Sequence, residues 1–428
     1  MLNPNRLKNI FEVARTLGAK SCELYGDTRF QTEITFEMKK SRARSFQTGG
    51  VQLVLETEQG PKTFVSSIID PDYLIRMLTG EPQLVAPQRD SLFKPTEPPS
   101  FETHRLLETA YRKTLLEHQD IQKFHACYHE ETQQFLFAND QGVEKTGTST
   151  FAWLQSQFSF SHGNTQKQFK VFKGRTDVPS LLSELREPWL SRHRVTKALQ
   201  KPWPAPRGEL PVLWSSSVVA KLTLCLMQYL DFHIQTPQRY QTLLQTLPPF
   251  AFQLIDNWKQ AQSFDVAGTP RIPRVILERE KLCMEFDQIQ LGNFRRQSHR
   301  DFPITAPWEP ALFGIERLDK PISRLEKGLR VYEAEVVDFH PSSPHITLQI
   351  QEASLVHQGQ EGDWIEPLLW STSLTDLFRS FKIFSEDSQP HPLQLHKAGQ
   401  SLFVEVTAPS ALSAELHVPG SVPQNNYW

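Results

Sequence analysis

The sequence predicts an α+β protein: an N-terminal helix-plus-antiparallel-sheet domain followed by a β-rich C-terminal domain around a buried helix. Three observations predict it. In the first half, apolar residues recur at helical spacing (Leu7, Ile10, Phe11, Ala14, Leu17) and then at every second position (Phe30, Thr32, Ile34, Phe36, Met38). At the centre, the proline-rich approach Lys201-Pro202-Trp203-Pro204-Ala205-Pro206 leads to a short apolar run at 211–214 and to Ser215, Ser216 and Ser217, any of which can cap a helix. That helix carries Val218, Val219, Leu222, Leu224, Cys225, Leu226, Tyr229 and Leu230. Only Lys221, Thr223 and Gln228 interrupt it, so it is apolar on most of its circumference and belongs inside. In the second half, residues 329–337, 346–355 and 364–369 alternate as sheet does. The chain of 428 residues has room for more than one domain, and the boundary is drawn between 1–200 and 207–428.

Taken in order, a first helix covers 5–17, and Gly18 ends it with a left-handed cap. Strands follow at 21–25 and 30–38. Gly49-Gly50 is read as a turn into 51–55, and Glu58-Gln59-Gly60 as a turn into 63–69. A short helix is expected at 71–78. Pro82, Pro87, Pro95, Pro98 and Pro99 mark 81–100 as a linker or extended crossover. A second long helix, 104–118, places Leu106, Leu107, Ala110, Tyr111 and Leu115 on one side. Strands at 121–130, 134–138 and 149–161 surround a turn at Asn139-Asp140-Gln141-Gly142, and 178–199 is helical in pattern apart from Pro179 and Pro188. Beyond the central helix, helical structure continues at 238–247. Strands are expected at 252–256, 275–277 and 282–286, a tight loop at 264–270, a helical piece at 373–381, and closing strands at 402–407 and 414–418.

With 46 basic and 48 acidic residues the net charge is -2, which argues against a dominant polyanion-binding surface and hence against a nucleic-acid partner. Cys22, Cys127, Cys225 and Cys283 lie far apart without a CxxC pair, a usage that suits a reducing compartment. The N-terminus is amphipathic without a continuous apolar region, and no apolar window of about eighteen residues occurs. A cytoplasmic protein with no membrane partner is expected.

Candidate chemistry is sparse. His125, Cys127 and His129 alternate along one strand face, and imidazole with thiolate suits zinc. No further ligand is indicated, however, and His129-Glu130 is followed by glutamines at 133 and 134, so HExxH fails. Ser215, Ser216 and Ser217 sit where a nucleophile elbow would, but the GxSxG glycines are absent, and a helix cap is the preferred reading. Gly49-Gly50 lacks phosphate-loop spacing. Arg295, Arg296, His299 and Arg300 beside Phe294 have the charge to hold an acidic peptide or phosphate, but a solvated loop is preferred. Cys225 in an apolar helix should have a raised pKa and no nucleophilic role. No catalytic, cofactor-binding or metal-binding residue is assigned, and no cofactor is expected.

Several segments, in order, resemble the TldD/TldE (PmbA) family. They are the helix ending at Gly18 with Ala19 to Tyr25, the Gly50 to Ser66 meander, Pro206-Arg207-Gly208 to Leu213, and the loop from Phe264-Asp265 to Gly268-Thr269-Pro270. Gly328-Leu329 to Val337, Gly362 to Pro367, and Lys397-Ala398-Gly399-Gln400 to Gly420 continue the match. The resemblance implies a two-domain fold and pairing between a TldD-type zinc peptidase and a TldE-type subunit. TldD-type members carry HExxxH on the central helix. The corresponding stretch here, Leu222 to Met227, has neither histidine nor glutamate, and the position of the family's cysteine ligand falls at Leu395. Both halves of a zinc site are therefore missing, and the family's segment after Gly292 is poorly kept. The expectation is an inactive, TldE-like accessory subunit acting in proteolysis, with a TldD-like peptidase subunit as heterodimer partner and peptide as substrate. The alternatives are a homodimeric, stand-alone binding or scaffold protein of the same fold, or an enzyme using the His125, Cys127 and His129 face.

Overall fold

The structure, a computed structural model, describes residues 4–38, 40–67, 70–80, 101–162, 165–190, 195, 202–256, 264–271, 273–279, 281–283 and 293–420. Helix α1 (Pro4–Thr16) ends where Gly18, at φ 87°, donates to Arg15 O and Ala19 donates to Ala14 O. Six strands follow: β1 (Ser21–Glu37), β2 (Lys40–Thr57), β3 (Gly60–Ser66), β4 (Ile121–Asn139), β5 (Glu144–His162) and β6 (Thr165–Arg175). Helices α2 (Pro71–Thr79) and α3 (Phe101–Glu117) lie between β3 and β4, and α4 (Val178–Glu184) follows β6. The strands form one antiparallel sheet in the order β3-β2-β1-β4-β5-β6.

The two faces of this sheet differ in chemistry. One carries Leu24, Ile34, Phe36, Leu53, Tyr128, Leu154 and Phe158, packed against apolar residues of the helices such as Ile10, Leu74, Leu107 and Tyr111. The other is polar. By register, Arg29, Gln31 and Glu33 on β1 stand beside Gln133, Glu131 and His129 on β4, and these beside Ser149, Phe151 and Trp153 on β5. A side-chain period of two makes this division inevitable once the register is set.

The strands are longer than the sequence pattern suggests. The expected pairs 21–25 with 30–38 and 121–130 with 134–138 are each one strand, because the polar residues between them pair across the sheet. Gly49-Gly50 is not a turn. It lies inside β2 opposite Thr28 and Asp27, and the chain reverses between Glu37 and Lys40. Glycine is needed there for space: a Cβ at Gly49 would sit 2.6 Å from Asp27 O, and one at Gly50 would collide with the His299 ring. The helix expected over 178–199 stops at Glu184, ahead of Pro188. The rest of that stretch, the linker 81–100 and the end of 282–286 lie largely outside the described residues.

The second half opens with β7 (Arg207–Trp214) and α5 (Ser216–Ile234), followed by α6 (Pro237–Thr246), β8 (Phe252–Asp256), β9 (Arg274–Glu278) and β10 (Lys281–Leu282). Next come β11 (Asn293–Arg295), β12 (Ile304–Ala306), β13 (Ala311–Gly314), β14 (Arg317–Leu318), β15 (Lys327–Phe339), β16 (His345–His357), β17 (Gln360–Trp364), β18 (Leu368–Ser373), α7 (Leu374–Ser380), β19 (Phe381–Lys397) and β20 (Gln400–Pro419). The expected strand 364–369 is two, β17 and β18, and the two expected closing strands are one, β20. All but β11 and β12 join a twelve-stranded mixed sheet with the central order β8-β13-β20-β7-β15-β16.

Ser215 starts α5 as a cap, its hydroxyl accepting from Val218 N–H at 3.4 Å. The helix is buried, as its composition predicts: Val219, Leu222, Leu226 and Leu230 are fully enclosed, against Val331, Leu348, Val404, Val406 and others. Each such Leu contributes roughly 1.5–3 kcal/mol by leaving water. No helix among the described residues is long and apolar enough to cross a membrane.

The two sheets touch along a seam. Glu405 on β20 accepts from Thr176 N–H at 2.7 Å, Arg175 donates to Pro390 O at 2.7 Å, and Gly174 lies against Pro392 so closely that a Cβ would come within 2.8 Å of it. Further along, His299 reaches across to Asp27.

Candidate functional site

Two concavities lie on the polar face of the first sheet, where it meets the second. The larger is an open cleft of about 670 Å³ that merges with a neighbour of about 450 Å³. Its floor is the start of α5, through Ser217 and Lys221. One wall is Glu333, Glu335 and Glu352 of β15 and β16, and the other is Gln168, Lys170 and Phe172 of β6. Among the described residues, β6 pairs with β5 alone, so its second edge is open toward the cleft.

The cleft's charged groups are largely committed. Lys221 pairs with Glu333 and donates to Ala334 O at 2.8 Å, so its amine is no free base. Ser217 Oγ lies 3.0 Å from Ser215 Oγ and donates to Tyr332 O at 3.3 Å, which makes it part of the helix start, not a nucleophile. His391 is different: burial, with the charges of Arg175 and Lys221, lowers its pKa to about 4, and its Nε2 has no hydrogen-bond partner among the described residues. The ring is therefore neutral at pH 7.

The smaller concavity is a polar cavity of about 260 Å³ at the seam. Arg29, Glu131, His129 and Gln133 line it from the first sheet, and Arg295, Arg296 and Gln297 from the second. Arg29 lies 3.2 Å from both Asp27 and Glu131, and Gln133 donates to Asp27 Oδ2 at 3.0 Å. Burial works to raise the Glu131 carboxyl, but the neighbouring His129 ring, Arg29 and the Gln31 amide outweigh it and hold it below the usual carboxylate range. Asp27 Oδ1 lies 3.0 Å from His299 Nδ1. Arg295 donates to Pro307 O at 2.7 Å and Phe403 O at 2.5 Å, and lies 4.6 Å from the Trp308 ring. Arg296 donates to Gln52 and to Asp301 O, and lies 4.2 Å from the Tyr25 ring. Burial first, then Arg271, pushes Arg295 down to about 9. Phe151, Trp153 and Phe403 stack nearly parallel as the apolar wall.

These placements correct one sequence expectation. Arg295, Arg296 and His299 are not a solvated loop: each is more than nine-tenths buried, and only Arg300 is exposed. The companions of Arg296 and His299, namely Gln52, Tyr25 and Asp27, lie more than 240 residues earlier, and Arg295 reaches Phe403 more than 100 residues later, so no local pattern reveals them. His125, Cys127 and His129 do share a strand face, but they do not converge. His125 points to solvent, Cys127 is raised to about 11 by burial and the Glu33 charge, and His129 stacks on Trp153 at 4.0 Å. Cys225 is raised to about 12 by burial, as its setting predicts. Leu222 to Met227 and Leu395 lie together in the apolar core. Among the described residues, no group of three or more His, Cys, Asp or Glu is placed to hold a metal ion. The cleft, with the β6 edge and His391, was missed from sequence, because β6 and β19 do not alternate cleanly.

The architecture is that of an α+β protein whose two large sheets meet at a polar seam, with one apolar helix at the centre of the second. No protein-family model matches the sequence, and no curated protein matches it. Solved structures do. TldE from Thermococcus kodakarensis shares the fold at a TM-score of 0.75 and 13% identity, over 97% of this chain and 100% of that one. A proposed modulator of a DNA gyrase from Thermotoga maritima superposes at 0.73 and 13% identity, over 96% and 99%. A similar protein from Bacteroides thetaiotaomicron does so at 0.65 and 14% identity, over 96% and 99%. This chain has the TldE fold along nearly its whole length.

Proposed function

We propose that this chain is a non-catalytic TldE-like subunit that pairs with a TldD-type zinc metallopeptidase and helps to hold its peptide substrate. The observation that carries the reading is the apolar core at Leu222 to Met227 and Leu395, within a TldE fold. Hydrolysis then belongs to the partner. The division into 1–200 and 207–428 and a cytoplasmic location go with this reading.

The open edge of β6 in the cleft supports the peptide-holding part. Among the described residues no strand pairs with the outer edge of Gln168 to Phe172, and such an edge suits an extended chain laid down as a further strand, held by main-chain hydrogen bonds and hence with little sequence preference. Lys170 and Glu335, 3.7 Å apart, face each other at its rim.

Co-expression with a TldD-type chain from the same genome tests the proposal. A stable one-to-one complex with raised peptidase activity is expected. A chain that forms no complex and leaves the peptidase unchanged would overturn it in favour of a stand-alone binding protein.

A further inference from the structure

We infer that the seam cavity is a binding site for an amino-acid-sized carboxylate with an apolar or aromatic side group. The cavity presents three guanidiniums, Arg29, Arg295 and Arg296, against one lining carboxylate, Glu131. Glu131 is taken up by Arg29. The carboxylates behind the lining are also engaged: Asp27 by Arg29, Gln133 and His299, and Glu309 by Arg271. Among the described residues, neither Arg295 nor Arg296 forms an ion pair, although both are more than nine-tenths buried. Among the described residues Arg296 Nε has no hydrogen-bond partner, whereas His129 Nε2 faces Glu131 at 3.7 Å.

Asp256 and Glu309 act on Arg295, and Asp27, Glu23 and Asp301 on Arg296, only from a distance; buried cations without a carboxylate in contact are costly, and an incoming anion reduces that cost. The guanidinium geometry favours a carboxylate, which takes two parallel hydrogen bonds. The same cavity is lined by the flat surface of Phe151, Trp153 and Phe403, which a hydrophilic anion would leave bare and an aromatic or aliphatic side group would cover. A volume of about 260 Å³ admits one such residue, not a folded partner. Such a carboxylate comes either from a free small acid or from the C-terminus of a peptide. The site stands apart from the pairing proposed above, since the single chain supplies every group.

The test is calorimetric titration of the purified chain with N-acetyl-phenylalanine, its amide, inorganic phosphate, and a short phenylalanine-terminated peptide with a free or an amidated end. Trp153 and Trp308 line the cavity, so their fluorescence gives a second readout. Saturable binding of the acid is expected, with the amide at least tenfold weaker, roughly the loss when a charged hydrogen bond is removed. R296Q should weaken the acid by about tenfold or more on the same grounds. S401F should abolish binding by filling the cavity while leaving all three arginines, which covers the case in which R296Q fails to fold. Binding of the free-ended peptide as well identifies a chain terminus as the ligand, and binding of the small acid alone identifies a metabolite. Equal binding of acid and amide, phosphate binding without acid binding, or no saturable acid binding by the folded chain would overturn the inference.

Discussion

The apolar core around α5 and the charged seam between the sheets are built on opposite terms. In the core, Leu222, Leu226, Val331 and Val404 pack with other apolar side chains. At the seam, Asp27, Arg29, Glu131, Arg296 and His299 are nearly as deeply buried, yet each is charged or ionisable and held by a named partner. Apolar packing stabilises through area and tolerates exchange among similar shapes. Buried charge stabilises little in net terms but penalises any arrangement that leaves one member alone. The core therefore accounts for most of the stability, while the seam fixes how the two sheets meet.

Substitutions can break this contrast. The largest effect is expected from R271L: Arg271 and Glu309 have fully buried side chains 3.4 Å apart, and removing the arginine takes away the cation in contact with the Glu309 carboxylate. Chemical denaturation should show a loss of about 3–5 kcal/mol, with the double leucine variant recovering part of it. Next is L226A in the core, expected to cost about 3 kcal/mol as a cavity, with no change in pH dependence. G50A follows, at about 1–3 kcal/mol, because its methyl must displace the His299 ring; a cost no larger than that of an exposed Gly-to-Ala exchange would show that the seam yields easily.

A smaller effect reads the cleft through pH. The folded-state pKa of His391 is about 4, below the ordinary 6.5. Its contribution to stability is thus complete above pH 6.5 and lost as the pH falls toward 4, where the buried ring must take a proton. H391Q should flatten the stability profile across that window by about 1–3 kcal/mol; an unchanged profile would mean the ring is freely hydrated. R112A, which breaks only the exposed pair with Glu108, should change the thermal midpoint by no more than about 0.5 kcal/mol warrants.

The fold class was legible because its main signals are local. The apolar circumference of 218–230 and the alternation at 329–337 and 346–355 need no distant partner to be read. Strand lengths were not legible where the sheet's polar face intrudes: Asp27 and Arg29 look like loop residues until Asp27 is matched with His299. β19 was hidden by Pro390 and Pro392, which argue against a strand interior. The Arg295 to His299 run looked solvated because Arg296 and His299 find their partners near the start of the chain and Arg295 finds one of its own at Phe403. Local pattern reports burial of apolar groups; it does not report burial of charge, which depends on partners brought in by topology.

The prolines of β19 have one more consequence. Thr407 gives its amide to Pro310, not to β19, so Pro390 opposite it turns its backbone outward, and its carbonyl takes Arg175. Pro390 and Pro392 sit where that outward margin runs beside β6, and neither has an N–H to offer. The two great sheets thus abut without zipping into one continuous ribbon, and among the described residues β6 keeps a second edge with no strand paired to it.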